Sequence, residues 1–388
     1  NIYEKNTLKN FKDKLTGKSG LLSIGFADIV GSAISGLFWL YIASQLNPDI
    51  YGEIIYFISI AGLAQMVSLL GSSNALTVYT AKNVKIQSTL FLISILAAVI
   101  SLAIITIFYN RIDAGLLAVG FVVFSLVNSV ILGKKLFVKY SKLVLSQKIL
   151  TLILGIGLYF VFDVYGIIYG LALSYIPHLV VFVKEFSRTR IDFALLKPRK
   201  GFIINNYVMN LVAGLGGTVD KLIIAPVLGL ALSGNYSLAL QMFTMMMVFS
   251  EIVYKYLLPF DANGKSNKKI RQIAIVISII ITILGVTILP DVIDWLFPKY
   301  VDAIDAIQIM SIGVIPGTIS ILYSSKFLAM EKSKIVMVPK LVSLIVEIGG
   351  FLYFGPIYGA IGLAWIIVAI FTWESIFLFI MNRTLRAS

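Results

Sequence analysis

Seven ionisable residues interrupt or border the apolar runs of this chain: Asp28, His178, Asp220, Lys221, Glu251, Glu347 and Glu374. A charged side chain in hydrocarbon costs at least about 2.5–3.5 kcal/mol, so such residues face protein or water and mark ion and substrate paths. A cavity aspartate can exchange a proton or hold Na+. Asp28 is therefore the first coupling-ion candidate, followed by Asp220 and Glu251. A lysine is a compact point charge suited to phosphate. Lys221 could meet a substrate pyrophosphate, or it could pair with Glu251 or Glu347. Neighbours in sequence are turned about 100° apart on a helix, so Asp220 and Lys221 do not stack as i,i+4 partners do, but they could still neutralise each other partly or reach different partners.

Helical spacing groups further polar residues with these charges. Asp28, Ser32, Ser35 and Trp39 recur at i, i+4, i+7 and i+11, which is one narrow face. Asn206, Asn210, Gly217 and Lys221 form a second face, with Asp220 on its edge. Gln65, Ser68 and Ser72 form a third. Lipid satisfies none of these groups. The stripes either line a hydrophilic cavity or bind helix to helix, as Ser, Asn and Gln commonly do. On the cavity reading, Lys221, Asn210, Asn206, Gln65 and Trp39 are the substrate-binding candidates.

The elements that must position these residues are membrane spans. The 388 residues are 59% hydrophobic and 13% charged, against about 25% charged in soluble domains. A span needs roughly 20 apolar residues. Twelve such runs occur, at about 21–46, 52–78, 88–109, 114–133, 143–162, 165–183, 202–230, 234–258, 272–290, 303–328, 335–354 and 357–381. Of 32 Lys and Arg residues, 29 fall in alternate gaps between runs or within six residues of one. Arg111 and Lys299 fall in the other gaps, and Lys221 lies inside a run. This is the positive-inside pattern, and it predicts cytoplasmic N- and C-termini in a multi-pass plasma-membrane protein. The net charge of +13 then points to anionic lipid headgroups and not to nucleic acid.

Two landmarks predict a duplicated chain. Tyr51-Gly52 after span one pairs with Gly234-Asn235-Tyr236 after span seven. The opening Tyr165-Gly166-Ile167-Ile168-Tyr169-Gly170-Leu171-Ala172 pairs with Tyr358-Gly359-Ala360-Ile361-Gly362-Leu363-Ala364, taken with Gly170 opposite Gly362. Even-numbered halves have the same orientation, which is a transporter architecture. The expectation is an all-α integral membrane protein with 12 transmembrane helices in two parallel six-helix lobes around a central cavity. Residues 1–20 would be a cytoplasmic tail, 21–183 the N-lobe, 184–201 a cytoplasmic linker and 202–388 the C-lobe.

Other chemistries are excluded or weak. Without cysteine there is no disulfide or thiolate chemistry. One His cannot build a zinc site. Gly17-Lys18-Ser19 lacks the first glycine of a phosphate-binding loop, where Lys12 stands. No cofactor or enzymatic activity is expected. The polar, Lys-rich start reads as no cleavable signal peptide. Ile2, Leu8, Phe11 and Leu15 among its lysines fit an interfacial amphipathic helix or a solvated tail. Asn235-Tyr236-Ser237 is a glycosylation triplet too close to the membrane to use.

Three features together resemble the polysaccharide transporters, the Wzx-like oligosaccharide flippases of the MATE-like MOP superfamily. They are Leu46-Asn47-Pro48-Asp49-Ile50-Tyr51-Gly52; Asp220-Lys221 followed by Gly229, Gly234 and Tyr236; and the paired openings of spans six and twelve. The start of span seven departs from the pattern, with Phe202-Ile203-Ile204-Asn205-Asn206 where many members carry Pro. The resemblance implies alternating access and a lipid-linked oligosaccharide, such as a polyprenyl-pyrophosphate glycan, moved from the cytoplasmic to the outer leaflet. It implies Na+ or H+ coupling, a monomer, and Lys221 as the cation meeting the pyrophosphate. A multidrug exporter of the same superfamily is the alternative, favoured by Asp28. A lipid II flippase is not separable by sequence. A glycan polymerase or ligase fits less well, because the gaps on the non-basic side hold only Arg111 and Lys299 and no His.

Overall fold

The computed structural model describes residues 25–215, 218–262, 268–330 and 332–387. The N-terminal tail and its amphipathic segment lie outside the described residues, as does Gly217. Every regular element among the described residues is helical. Lipid offers backbone groups no partner, so a spanning chain must bond to itself.

The chain divides into two units. One holds the first helix up to Leu40 together with Phe57–Thr218, and the other holds Tyr41–Tyr56 together with Val219 onward. The first helix, α1 (Gly25–Gln45), is followed by α2 (Pro48–Leu69), α3 (Ser72–Ala81), α4 (Gln87–Tyr109), α5 (Ile112–Gly133), α6 (Phe137–Leu173), α7 (Ile176–Phe186) and α8 (Lys200–Leu215). The second series is α9 (Val219–Leu228), α10 (Leu230–Ala262), α11 (Lys268–Thr287), α12 (Leu289–Leu296), α13 (Ile304–Ile312), α14 (Val314–Ala329) and α15 (Ser333–Ala387).

Eight helical stretches among the described residues are long and apolar enough to cross a membrane, or nine if the pair around Gly313, bent by 41°, is one span. Their outward faces are apolar. On α4, Ile100, Ile104 and Ile107 share one face, and Ile107 and Phe108 are 77% and 78% exposed. Such surface suits lipid and would be untenable in water. Inward, α5 packs Val122, Leu126 and Val130 against Leu76 and Phe91, with Phe91 stacked on Phe182 at 4.7 Å. In the second unit, Leu257 and Leu322 close one apolar cluster, and Phe327 and Leu378 another.

The two longest stretches each contain one non-helical residue. It is Asp163 in α6 (φ 55°, ψ −144°) and Gly359 in α15 (φ 56°, ψ −139°). Near-identical dihedrals fold each stretch back on itself. A Cβ on Gly166 would fall 2.0 Å from the Leu158 carbonyl oxygen, and one on Gly362 would fall 2.7 Å from that of Phe354. Each glycine lies three residues after its break, and each carbonyl five before. The internal repeat therefore has a register of 196, which sets Gly166, and not Gly170, opposite Gly362. The sequence motifs misled by four residues because glycines recur at the helical spacing, so two alignments fit almost equally well.

The other landmark is a direct contact within the second unit. A Cβ on Gly234 would come 1.8 Å from the Pro48 carbonyl oxygen, so the start of α2 approaches α10 backbone to backbone. Tyr51 and Tyr236, the paired tyrosines, are both fully buried.

Candidate functional site

The second unit gathers the charges. Asp220 sits in the first turn of α9, with its side chain accepting from the Lys221 backbone N–H at 2.8 Å. That turn brings the neighbours together: Lys221 Nζ donates to Asp220 Oδ1 and Oδ2 at 3.1 and 3.0 Å. Spacing alone argued against i,i+4 stacking, but it did not anticipate that the lysine stem curls back over the helix start. Asp220 is 4% exposed, and the Lys221 side chain is 19% exposed. Tyr236 Oη, from α10, donates to Asp220 Oδ2 at 3.1 Å.

Glu347 of α15 stands within electrostatic range of Asp220, Lys221 and Glu374. It is 6% exposed and makes no hydrogen bond or ion pair among the described residues. Glu374 is also buried and accepts from Ser320 Oγ at 3.0 Å. Asp220 and Glu347 thus stand with one ammonium and one phenol, and Glu374 lies within electrostatic range of Glu347. Buried charges persist only when paired or neutralised. Lys221 is the ammonium held directly by Asp220, and Lys340 lines the cavity that Glu374 borders. No group of three or more His, Cys, Asp or Glu residues among the described residues has metal-binding geometry.

Glu374 also borders a cavity of about 420 Å³ within this unit, shared with Glu251, Lys340, Tyr254, Phe243 and Phe371. Glu251 is exposed at its edge.

The first unit treats its polar stripes differently. Gln65 Nε2 donates to Ser125 Oγ at 2.6 Å and to the Phe121 carbonyl at 3.2 Å. Ser68 bonds Ser101 at 3.0 Å, and Ser72 bonds Ser94 at 2.9 Å. Asn74 Nδ2 donates to Asn206 Oδ1 at 2.9 Å and to Asn210 Oδ1 at 3.4 Å. These stripes join helix to helix. The predicted continuous face from Asn206 to Lys221 is divided between α8 and α9, which belong to different units.

Asp28 and Trp39 lie on α1, both half-buried, and Trp39 packs edge-on to Phe38 at 5.0 Å. Asp28 is within electrostatic range of Tyr140. One turn along, the Lys148 stem lies 3.4 Å from where a Gly31 Cβ would stand. Lys148 was grouped with the basic gap before span five, yet it sits eleven residues into α6, about 16 Å along the helix. Lys221 is therefore not the only cation within a spanning helix. The signal was present in the sequence, because the span drawn at 143–162 already contained it.

The two cations outside the positive-inside pattern have structural partners. Arg111 chelates Asp113 at 2.8–3.3 Å and lies over Phe57 at 4.1 Å. Lys299 Nζ caps the Gln45 carbonyl at 3.1 Å. His178 is fully buried against Phe124 and Tyr175. Asn235 is buried and donates to the Ala231 carbonyl, which leaves its glycosylation triplet inaccessible.

No family model matches the chain, and no curated protein matches it in sequence. Solved structures do match it. A multidrug resistance MATE family transporter of the MOP superfamily, in an inward-facing conformation, aligns over 94% of this chain and 97% of its own, with TM-score 0.69 and 14% identity. The lipid II flippase MurJ, inward closed, aligns over 93% and 87%, with TM-score 0.78 and 13% identity. A MOP superfamily transporter from Pyrococcus furiosus, noted for reverse polarity of its binding pocket, aligns over 94% of each chain, with TM-score 0.54 and 16% identity. The chain has the fold of these membrane transporters.

Proposed function

We propose that this protein is a Wzx-like flippase that moves a lipid-linked oligosaccharide, a polyprenyl-pyrophosphate glycan, from the cytoplasmic to the outer leaflet of the plasma membrane. The observation that carries this reading is the Asp220–Lys221 pair. Its ammonium is tethered, partly exposed and held by one carboxylate. A pyrophosphate competes with Asp220 for that cation, and the displaced carboxylate then takes a proton with Glu347 beside it. Anion binding and proton uptake are so linked in one site. The likeness to a lipid II flippase supports a polyprenyl-pyrophosphate substrate class.

The architecture proposed is two six-helix lobes with both termini cytoplasmic, 21–183 and 202–388, joined by 184–201. Breaking α6 at Asp163 and α15 at Gly359, and joining α2 with α3, the second arm of α6 with α7, α8 with α9, α11 with α12 and α13 with α14, counts twelve spans. Access alternates between the two membrane faces.

Lys221→Ala is expected to lower flipping of a fluorescent polyprenyl-pyrophosphate glycan in proteoliposomes by about 30-fold or more, while Lys221→Arg retains most of it. Normal flipping by Lys221→Ala overturns the assignment. The second reading, a multidrug exporter, rests on the cavity bordered by Glu251 and Glu374 beside Phe243 and Phe371, which suits an organic cation. Proton-driven uptake of ethidium into inside-out vesicles, lost in Glu251→Gln, would favour it.

A further inference from the structure

A second cavity, of about 780 Å³, opens among α11, α14 and α15. Four cations line it, Lys268, Arg271, Lys326 and Arg383. All four stand near a terminus of their helix. Lys268 and Arg271 open α11, Lys326 lies in the last turn of α14, and Arg383 lies near the end of α15. Below them the walls are apolar, built from Ile275, Ile319, Leu322, Ile376 and Phe379. Polar ends above a greasy cleft match the two parts of a lipid.

The cations differ in freedom. Arg271 is fixed: it donates to Asp261 Oδ2 and to the Leu322 carbonyl, both at 2.5 Å. Asp261 is itself held by Ser325 Oγ at 2.7 Å. Lys326 donates to Asn382 Oδ1. Lys268 and Arg383 are exposed, with the Arg383 guanidinium 4.6 Å over the Phe379 ring. Asp261 offsets one of the four charges, which leaves a surplus of positive charge at the cavity mouth.

We infer that this cavity is a binding site for a phosphate-bearing lipid. The phosphate meets Lys268 and Arg383 at the mouth, and the acyl or prenyl chain lies along Ile319, Leu322 and Ile376. The volume is within the range that encloses a drug-sized ligand, and basic pockets between spanning helices hold anionic headgroups. The site shares no lining residue with the Asp220–Lys221 cluster, so it stands or falls apart from the transport reading.

The test is native mass spectrometry of the full chain in detergent, titrated with phosphatidylglycerol and phosphatidylcholine. The wild type is expected to retain phosphatidylglycerol preferentially. The Lys268→Gln/Arg383→Gln variant is expected to lose about 30-fold in phosphatidylglycerol affinity, two surface charges being removed, with unchanged thermal unfolding. Lys268→Arg/Arg383→Lys, which keeps both charges, restores retention. Equal retention of both lipids by the wild type, or undiminished retention by the Gln variant, overturns the site. Displacement by inorganic phosphate at equal concentration assigns the cations to free phosphate and also overturns it. Displacement by polyprenyl pyrophosphate supports the site and names an isoprenoid lipid as its occupant.

Discussion

Twelve residues before its break, α6 carries Thr151; at the same place α15 carries Glu347. Fifteen residues after the break, α7 carries His178 and α15 carries Glu374. In the first unit Thr151 joins Gln147 and Ser174 in a closed triangle of hydrogen bonds, 2.9–3.1 Å on each side. In the second unit Gln147 is matched by Ser343, whose buried hydroxyl has no partner among the described residues, and Glu347 is left to the field of Asp220 and Lys221. One copy of the hairpin ties Thr151 into a local network, although the buried ring nitrogens of its His178 have no partner among the described residues. The other leaves charge unmatched inside the protein. A bonded triangle such as that of Thr151 has less left to offer a substrate or a proton than an unbonded carboxylate has.

The largest expected effect transfers charge into the saturated copy. Thr151→Glu places a buried carboxylate among partners already bonded, and it should destabilise by about 3–5 kcal/mol, read as a drop in thermal unfolding temperature in detergent. If that variant unfolds like the wild type, the two hairpins do not differ as described.

Next comes the charged copy itself. Lys221→Ala leaves the buried Asp220 without its cation and should cost up to about 3–5 kcal/mol. The double change Asp220→Asn/Lys221→Met should recover most of that stability while flipping stays lost. Recovery of both would show that the pair serves only the fold.

The breaks give a middle-sized contrast of opposite sign. Gly359→Ala puts a Cβ at φ 56°, ψ −139°, a region that favours glycine, and should destabilise by about 1–3 kcal/mol. Asp163→Gly, at the same dihedrals, should relieve strain and raise the unfolding temperature by an amount matching about 1 kcal/mol.

The smallest effect tests the stripes of the first unit. Gln65→Leu removes bonds to Ser125 and Phe121 and should cost about 0.6–1.7 kcal/mol, with flipping nearly intact. A total loss of flipping would return Gln65 to the substrate path.

How far the sequence reached can be judged residue by residue. The stripe Gln65, Ser68, Ser72 was legible as a face that lipid cannot satisfy, and the structure puts all three against hydroxyls or a carbonyl. Whether such a face meets water or a neighbouring helix depends on what stands opposite, and spacing along one helix carries no information about that. Lys221 was legible as a cation out of pattern, with Asp220, Glu251 and Glu347 as open partners; that Asp220 holds it directly was not, because the contact arises where a new helix starts and the side chain turns back. Tyr236 was visible in the same motif, but its bond to Asp220 is made across helices.

The sequence by itself determined that this chain lives in a membrane, because hydropathy and charge act locally and need no partner to be read. It also carried the expectation of two copies of one plan, since repetition is a property of order along the chain. Tertiary structure alone decided the register of the two matching hairpins, the bonded triangle at Thr151 and the unbonded carboxylate at Glu347. Those depend on which side chains meet across helices, and in a low-dielectric interior that meeting sets whether a polar group is spent or available.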